Sequence, residues 1–245
     1  MGMKLSIIMP VYNGSSFIEK NVLKVKDVLD TINIDYEIIV VNDGSTDNTK
    51  EELMKINKGN IKTLSYEKNQ GKGHAIKHGF KSSEGELVGF LDSDLDLNPG
   101  QIKNFVKFME STGADIVIGS KRHPLSNVSY PMKRRVLSAG YQFINKILFN
   151  LNVRDTQVGL KLFKHDALED ILPRIMVKQY AFDLEVLVNA NMLGYKIIEA
   201  PIDLDFKFNG SFVKMGAIWN IILDTCSIFY RKNILHSYSK KRCSE

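Results

Sequence analysis

Apolar residues along the chain fall into short unbroken runs, separated by stretches where they recur every three or four positions. The runs at 5–9, 36–41, 61–66, 86–91 and 115–119 have strand length and are bounded by polar residues or glycine. Ile38-Ile39-Val40-Val41 has no polar alternation, so both faces of that strand should be covered, as in a parallel sheet. Between the runs, the periodic stretches 16–32, 48–56, 73–81 and 101–112 predict helices. Strand and helix in alternation predict an α/β chain with a doubly wound, mostly parallel sheet and right-handed crossovers. Ligands of such sheets sit beyond the carboxyl ends of the strands.

The second half reads differently. Two stretches, 134–149 and 213–230, predict helices that are apolar over much of their circumference. In the second, Met215, Ile218, Trp219, Ile222, Cys226, Phe229 and Tyr230 fall at helical spacing. Two readings stay open here, a buried core helix or a helix lying in a membrane interface, where a Trp and trailing bases are well placed. No window reaches about 18 uninterrupted apolar residues, so no spanning helix is expected.

A chain of 245 residues is long enough for one sizeable core, and its 44% hydrophobic and 25% charged content excludes a disordered or fibrous class. The net charge of +5 matters less than its location: Arg231, Lys232, Lys240, Lys241 and Arg242 follow the apolar stretch with no acid among them, which suits anionic lipid. No basic stripe interleaves with aromatics, so nucleic acid is not an expected partner. Cys226 and Cys243 supply no disulfide framework and no zinc spacing, and no secretory leader is expected at the N-terminus. These features predict a cytoplasmic protein held peripherally at the cytoplasmic face of a membrane. His74 and His78, four apart, are read as helix-surface residues rather than metal ligands.

Four segments at strand ends suit a nucleotide or a phosphate. Pro10-Val11-Tyr12-Asn13-Gly14 is a turn that can lay an aromatic ring and an amide beside a base. In Asn42-Asp43-Gly44-Ser45-Thr46-Asp47, Ser45 or Thr46 can cap the next helix and leave Asp43 to accept from a base or a ribose hydroxyl. Asn69-Gln70-Gly71-Lys72-Gly73-His74-Ala75 permits close backbone approach, with Lys72 at a helix start able to meet a phosphate or a base edge; it lacks P-loop spacing. Phe90-Leu91-Asp92-Ser93-Asp94-Leu95-Asp96 sets three alternate acids directly beyond an apolar strand. Three close carboxylates repel one another unless a hard cation neutralises them, so a metal is expected at Asp92, Asp94 and Asp96.

Together, in this order and spacing, these segments resemble the family 2 inverting glycosyltransferases of GT-A fold. The resemblance runs over about residues 4–211. Beyond the nucleotide half it continues through Gly119-Ser120-Lys121-Arg122, Arg134-Arg135 with Ser138, the segment 155–163, and Phe182-Asp183-Leu184-Glu185. Those later segments are similar to the branch that makes dolichyl-phosphate and other polyprenyl-phosphate sugars. It implies a transferase domain over 1–211, with a nucleotide-sugar half to about 120 and an acceptor half after it, then an amphipathic helix and basic tail over 212–245. It implies that Pro10, Tyr12, Asn13, Asp43 and Lys72 line the nucleoside pocket, with Asp92, Ser93 and Asp94 at ribose, diphosphate and Mg2+ or Mn2+. The chain departs from the family pattern at Gly14, where an acid is usual, at Asp96, where mannose synthases often carry Gln, and at Lys207, where Arg is frequent. The segments 155–163 and 182–185 are closer to the glucosyl branch, so the expected donor is UDP-glucose ahead of GDP-mannose.

A lipid phosphate is already an anion near neutral pH, so it can attack an anomeric carbon without giving a proton to a base. It needs orientation and charge stabilisation, for which Lys121, Arg122, Arg134, Arg135 and Lys207 are the available cations. A sugar-hydroxyl acceptor would instead need a general base, with Asp183 as the candidate. A nucleotide-binding subunit without turnover is the non-enzyme alternative. The sequence leaves the oligomeric state undetermined.

Overall fold

A computed structural model describes residues 4–129, 132–179, 181–205 and 215–239; within these, side chains at 129, 132–137, 205, 215, 217, 218 and 239 are not described. The chain runs β1 (Lys4–Val11), α1 (Ile18–Leu29), β2 (Asp35–Asp43), α2 (Thr49–Ile56), β3 (Ile61–Tyr66), α3 (Lys72–Phe80), β4 (Leu87–Leu91), α4 (Ile102–Thr112) and β5 (Ile116–Ser120). All nine lie where the hydrophobic pattern sets them. The second half adds β6 (Asn127–Ser129), α5 (Met132–Phe149), β7 (Leu160–Lys164), α6 (His165–Ile171), α7 (Phe182–Met192), β8 (Ile197–Pro201), β9 (Asp203–Asp205) and α8 (Met215–Asn233).

Seven strands form one sheet in the order β3-β2-β1-β4-β7-β5-β8, and β6 pairs with β9 beside it. Successive residues of the inner strands feed opposite cores, as strand geometry requires. Ile7, Met9, Ile38 and Val40 pack with α1, α2 and α4, whereas Ile8, Ile39 and Val41 pack with α3, α6 and α7. β1 pairs with β2 on one side and β4 on the other, so the chain changes direction across the sheet there and a crevice opens at their carboxyl ends. Asp43 and Asp92 close those two ends.

The sheet is not parallel throughout. β7 runs antiparallel to both β4 and β5. Its sequence, Leu-Lys-Leu-Phe-Lys, is too short and too interrupted by charge to stand out as a central strand, and it holds that place because Lys161 finds a counter-charge inside. α7 is buried around nearly its whole circumference, Asp183, Glu185 and Asn189 included.

Helix α8 is turned inside out relative to an ordinary surface helix. Thr225 and Ile228 are buried, Asp224 Oδ2 accepts from the Ala181 N–H at 3.4 Å, and Arg231 pairs with Glu185. Trp219, Ile222, Leu223 and Tyr230 face outward, Trp219 63% exposed. Of the two readings of this stretch, the core helix is therefore corrected for these four residues; the side chains of Met215 and Ile218 lie outside the described residues. Among the described residues no helix is long and apolar enough to cross a membrane.

Candidate active site

The loops after β1 and β2 are stitched to each other. Asn13, at φ +53°, donates its N–H to Ser45 Oγ at 2.9 Å, while its Oδ1 accepts from Thr46 N–H at 2.8 Å. Gly14 N–H donates to Thr49 Oγ1 at 2.9 Å and Ser15 N–H to Asp47 Oδ2 at 3.1 Å. The expected cap from Ser45 or Thr46 does not form. α2 begins at Thr49, whose N–H is taken by Asp47 Oδ1 at 3.1 Å. Burial opposes the charge on Asp47, but the donors from Thr49 and Ser15 hold its carboxyl down at about 2. Tyr12 is half exposed at the crevice mouth, and Pro10 lies in β1 opposite Val41.

Asp43 is not free, contrary to its reading as an acceptor for a base or ribose. Its Oδ1 accepts from Tyr66 Oη and Gln70 N–H, both at 2.7 Å, and its Oδ2 from Asn69 Nδ2 at 3.0 Å and Gly71 N–H at 2.9 Å. Four donors fill the acceptor sites of one carboxylate. Asp43 thus shapes the segment that presents Lys72. The adjoining Gly44 sits at φ +62°, where a Cβ would come within 2.4 Å of Asn69 N, so only glycine lets the two loops meet.

Lys72 begins an alternating chain of charge that runs from the crevice into the core. Its Nζ lies 2.7 Å from Asp92 Oδ1 and 3.4 Å from Asp183 Oδ2, and Asp183 Oδ1 takes Lys161 Nζ at 2.8 Å. Lys161 also donates to Val158 O at 2.5 Å. Burial opposes the charge on Lys72, but Asp183 and Asp92 outweigh it and hold the ammonium firmly protonated. Burial likewise pushes the Asp183 carboxyl up, and Lys161 and Lys72 bring it below the usual range. Lys161, almost wholly buried, is shifted down chiefly by that burial.

Asp92, Asp94 and Asp96 line one cavity of about 140 Å³ with Lys121, Gln157 and Gly159. Gly159 packs on Asp92 so tightly that a Cβ there would lie 2.1 Å from Oδ2. Restricted hydration in the cavity, then the charges of Asp92 and Asp96, raise the Asp94 carboxyl above the usual range. Ser93 is buried, and its carbonyl accepts from Asn21 Nδ2 of α1 at 2.8 Å. The expected three-carboxylate cage is corrected: among the described residues no three acidic, His or Cys side chains are set to hold a metal. One oxygen of Asp92 is already taken by Lys72, and the segment turns at Ser93-Asp94, where Leu95, at φ +52°, donates its N–H to Asp92 O at 3.2 Å, so the three carboxyls do not converge. Asp94, which makes no ion pair among the described residues, and the part-exposed Asp92 are the acids that would hold a hard divalent cation.

One cation, Lys121, lines the cavity, and its chain neighbour Arg122 lines the groove next to α5. Lys121 Nζ lies 3.7 Å from the buried Asp155, and Arg122 Nη2 reaches Ser138 Oγ of α5 at 3.4 Å. Of the other expected cations, the side chains of Arg134 and Arg135, and Lys207 altogether, lie outside the described residues. Reasoning from sequence passed over the parts played by Lys161 and Gly159. A lysine inside an otherwise apolar strand-like run was the available signal for the first; nothing local signals that Gly159 must clear Asp92.

Residues 6–172 match the model of glycosyl transferase family 2. A dolichyl-phosphate beta-glucosyltransferase of Trichomonas vaginalis, ALG5A, is 34% identical over 241 residues, 93% of this chain and 74% of the relative. A second from that organism, ALG5D, is 31% identical over 94% of this chain and 75% of the relative. Among solved structures, glucosyl-3-phosphoglycerate synthase of Mycobacterium tuberculosis, crystallised with Mn2+, UDP-glucose and phosphoglyceric acid, superposes with a TM-score of 0.70 at 18% identity, covering 93% of this chain and 80% of that one.

Proposed function

The chain belongs to glycosyl transferase family 2, and from that premise and its site geometry we propose that it moves glucose from UDP-glucose to a dolichyl or other polyprenyl phosphate with inversion. Membership of a transferase family sets aside the reading as a binding subunit. The observation that carries the acceptor is the clamp on Asp183. Asp183, the carboxylate expected as base for a sugar hydroxyl, is bound between Lys161 and Lys72, so an acceptor that arrives already ionised suits the site better. The phosphate oxygen attacks the anomeric carbon as the bond from that carbon to the diphosphate breaks; no proton changes hands, and the electron pair leaves on UDP.

Within this reading Lys121 and Arg122 orient the acceptor phosphate, and Lys72, held by Asp92 and Asp183, faces the donor. A divalent cation at Asp94 and Asp92 would neutralise charge on the departing diphosphate. The glucosyl donor is favoured by the likeness to the two Trichomonas proteins. The outward stripe of Trp219, Ile222, Leu223 and Tyr230 supports work at a membrane surface, where a long-chain acceptor lies.

The test incubates the protein with Mg2+ or Mn2+, a polyprenyl phosphate and labelled UDP-glucose, UDP-GlcNAc or GDP-mannose, and counts label extracted into organic solvent. Label from UDP-glucose is expected. Label from GDP-mannose instead would reassign the donor, and transfer only to a soluble sugar would overturn the acceptor.

A further inference from the structure

Beside α5, apart from the acidic cavity, runs a groove of about 510 Å³ lined by Arg122, Phe143, Lys146, Val153, Arg154 and Glu199, among others. Three of these are cations and one is an acid. The acid is already engaged, since Glu199 Oε1 accepts from the backbone N–H groups of Arg154 at 2.7 Å and Asp155 at 3.1 Å. Arg154 Nε stands 4.0 Å from the other Glu199 oxygen, and Lys146 makes no ion pair among the described residues. The groove therefore keeps an excess of positive charge.

Its rim is apolar where a soluble protein would be polar. Phe143 and Ile147, each 66% exposed, flank Lys146 at helical spacing, with Ile144 beside them. The inner side of the same helix turns Gln142, Asn145 and Phe149 inward. α8 packs alongside through Tyr141 with Thr225 and Phe149 with Phe229, and bears its own outward apolar stripe. A free anion would satisfy the cations and leave this surface in water. A lipid satisfies both, since its phosphate meets the bases while the apolar residues enter the acyl boundary.

We propose that this groove seats the phosphate headgroup of an anionic phospholipid, held by Lys146 and Arg154, with Phe143, Ile144 and Ile147 entering the bilayer. This rests on the reading that the enzyme works at a membrane surface, and it assigns the docking face to α5 and the loop after it, beside Arg122. The phospholipid is a second lipid, distinct from the acceptor.

The test is flotation of the full chain with phosphatidylcholine vesicles, with and without phosphatidylglycerol, in the absence of donor and acceptor. Lys146→Ala combined with Arg154→Ala should reduce partition onto phosphatidylglycerol vesicles on the order of thirtyfold, taking ~1 kcal/mol per near-surface charge, and leave partition onto pure phosphatidylcholine unchanged. Phe143→Ser should weaken both. Turnover of a short, water-soluble polyprenyl phosphate should be unaffected by either variant. Unchanged partition, or equal loss on both vesicle types from the charge variant, overturns the proposal. Loss of turnover with the short acceptor also overturns it, because the groove would then belong to the acceptor. Since the vesicle arm needs no reaction, failure of the proposed transfer would show separately in the labelling assay.

Discussion

Arg231, in the last turn of α8, donates through Nη1 to Glu185 Oε1 at 2.8 Å, and Glu185 is completely buried in α7. The same carboxylate accepts from the Met176 and Val177 N–H groups at 2.9 and 2.7 Å, and from the hydroxyl of Tyr238. The C-terminal helix is thereby locked onto the first turn of α7, two residues from Asp183. Arg231→Ala removes one charge-assisted bond to a buried acid, so we expect stability to fall by about 1.5–3 kcal/mol. Urea unfolding should show a lower midpoint at unchanged slope; an unchanged midpoint would mean that this contact contributes nothing to the fold.

Gly159→Ala should cost activity far more than stability. The new Cβ would lie 2.1 Å from Asp92 Oδ2 and force that carboxylate off Lys72. A drop in kcat/KM of at least tenfold is expected, with ~1.4 kcal/mol per factor of ten, while the thermal midpoint moves little. Equal losses in both would show that the glycine serves packing alone.

Acid should loosen the two nucleoside-side loops through Asp47. Its carboxyl is held down at about 2 in the folded protein, below the usual aspartate range near 4, so its stabilising contribution is full above about pH 4 and is lost as pH falls towards 2. Asp47→Asn should therefore be less stable than the wild type at pH 5 and close the gap by pH 2. Chemical unfolding across that range reads it; a gap independent of pH would rule out this linkage.

Arg122→Ala should raise the acceptor KM by roughly 10- to 100-fold, the equivalent of ~1.5–3 kcal/mol for a charged hydrogen bond, with little change in the donor KM. Arg122→Lys should recover part of the loss, because the charge survives and the fork does not. An effect on the donor alone would move Arg122 to the other substrate.

Asp94→Asn should abolish turnover while leaving unfolding cooperative, and excess chelator should do the same to the wild type. Full activity in chelator would sink the cation reading. Asp96→Asn should matter less, since the cation is assigned to Asp92 and Asp94.

The first half of the chain was legible because its information is local. Unbroken runs such as Ile38 to Val41 can only be strands covered on both faces, and the acids beyond β4 announce themselves by spacing. The second half was not. β7 is a central strand whose five residues include two lysines, and nothing within those residues says that Lys161 will meet Asp183, which lies 22 positions on. The saturation of Asp43 was illegible for the same reason: its four donors come from residues 66–71, which only the pairing of β2 with β3 brings near.

By itself the sequence determined the alternation of strand and helix, the family, and which strand ends carry polar chemistry, because periodicity and short-range spacing survive without any knowledge of the fold. Tertiary structure decided which of those groups are available. It saturated Asp43, clamped Asp183 between two lysines, dispersed the three-acid cage, and turned α8 so that Asp224, Thr225 and Arg231 face inward while Trp219 and Ile222 face out. Charge pairing and burial depend on distances between residues far apart in the chain, and those distances exist only once the sheet has closed.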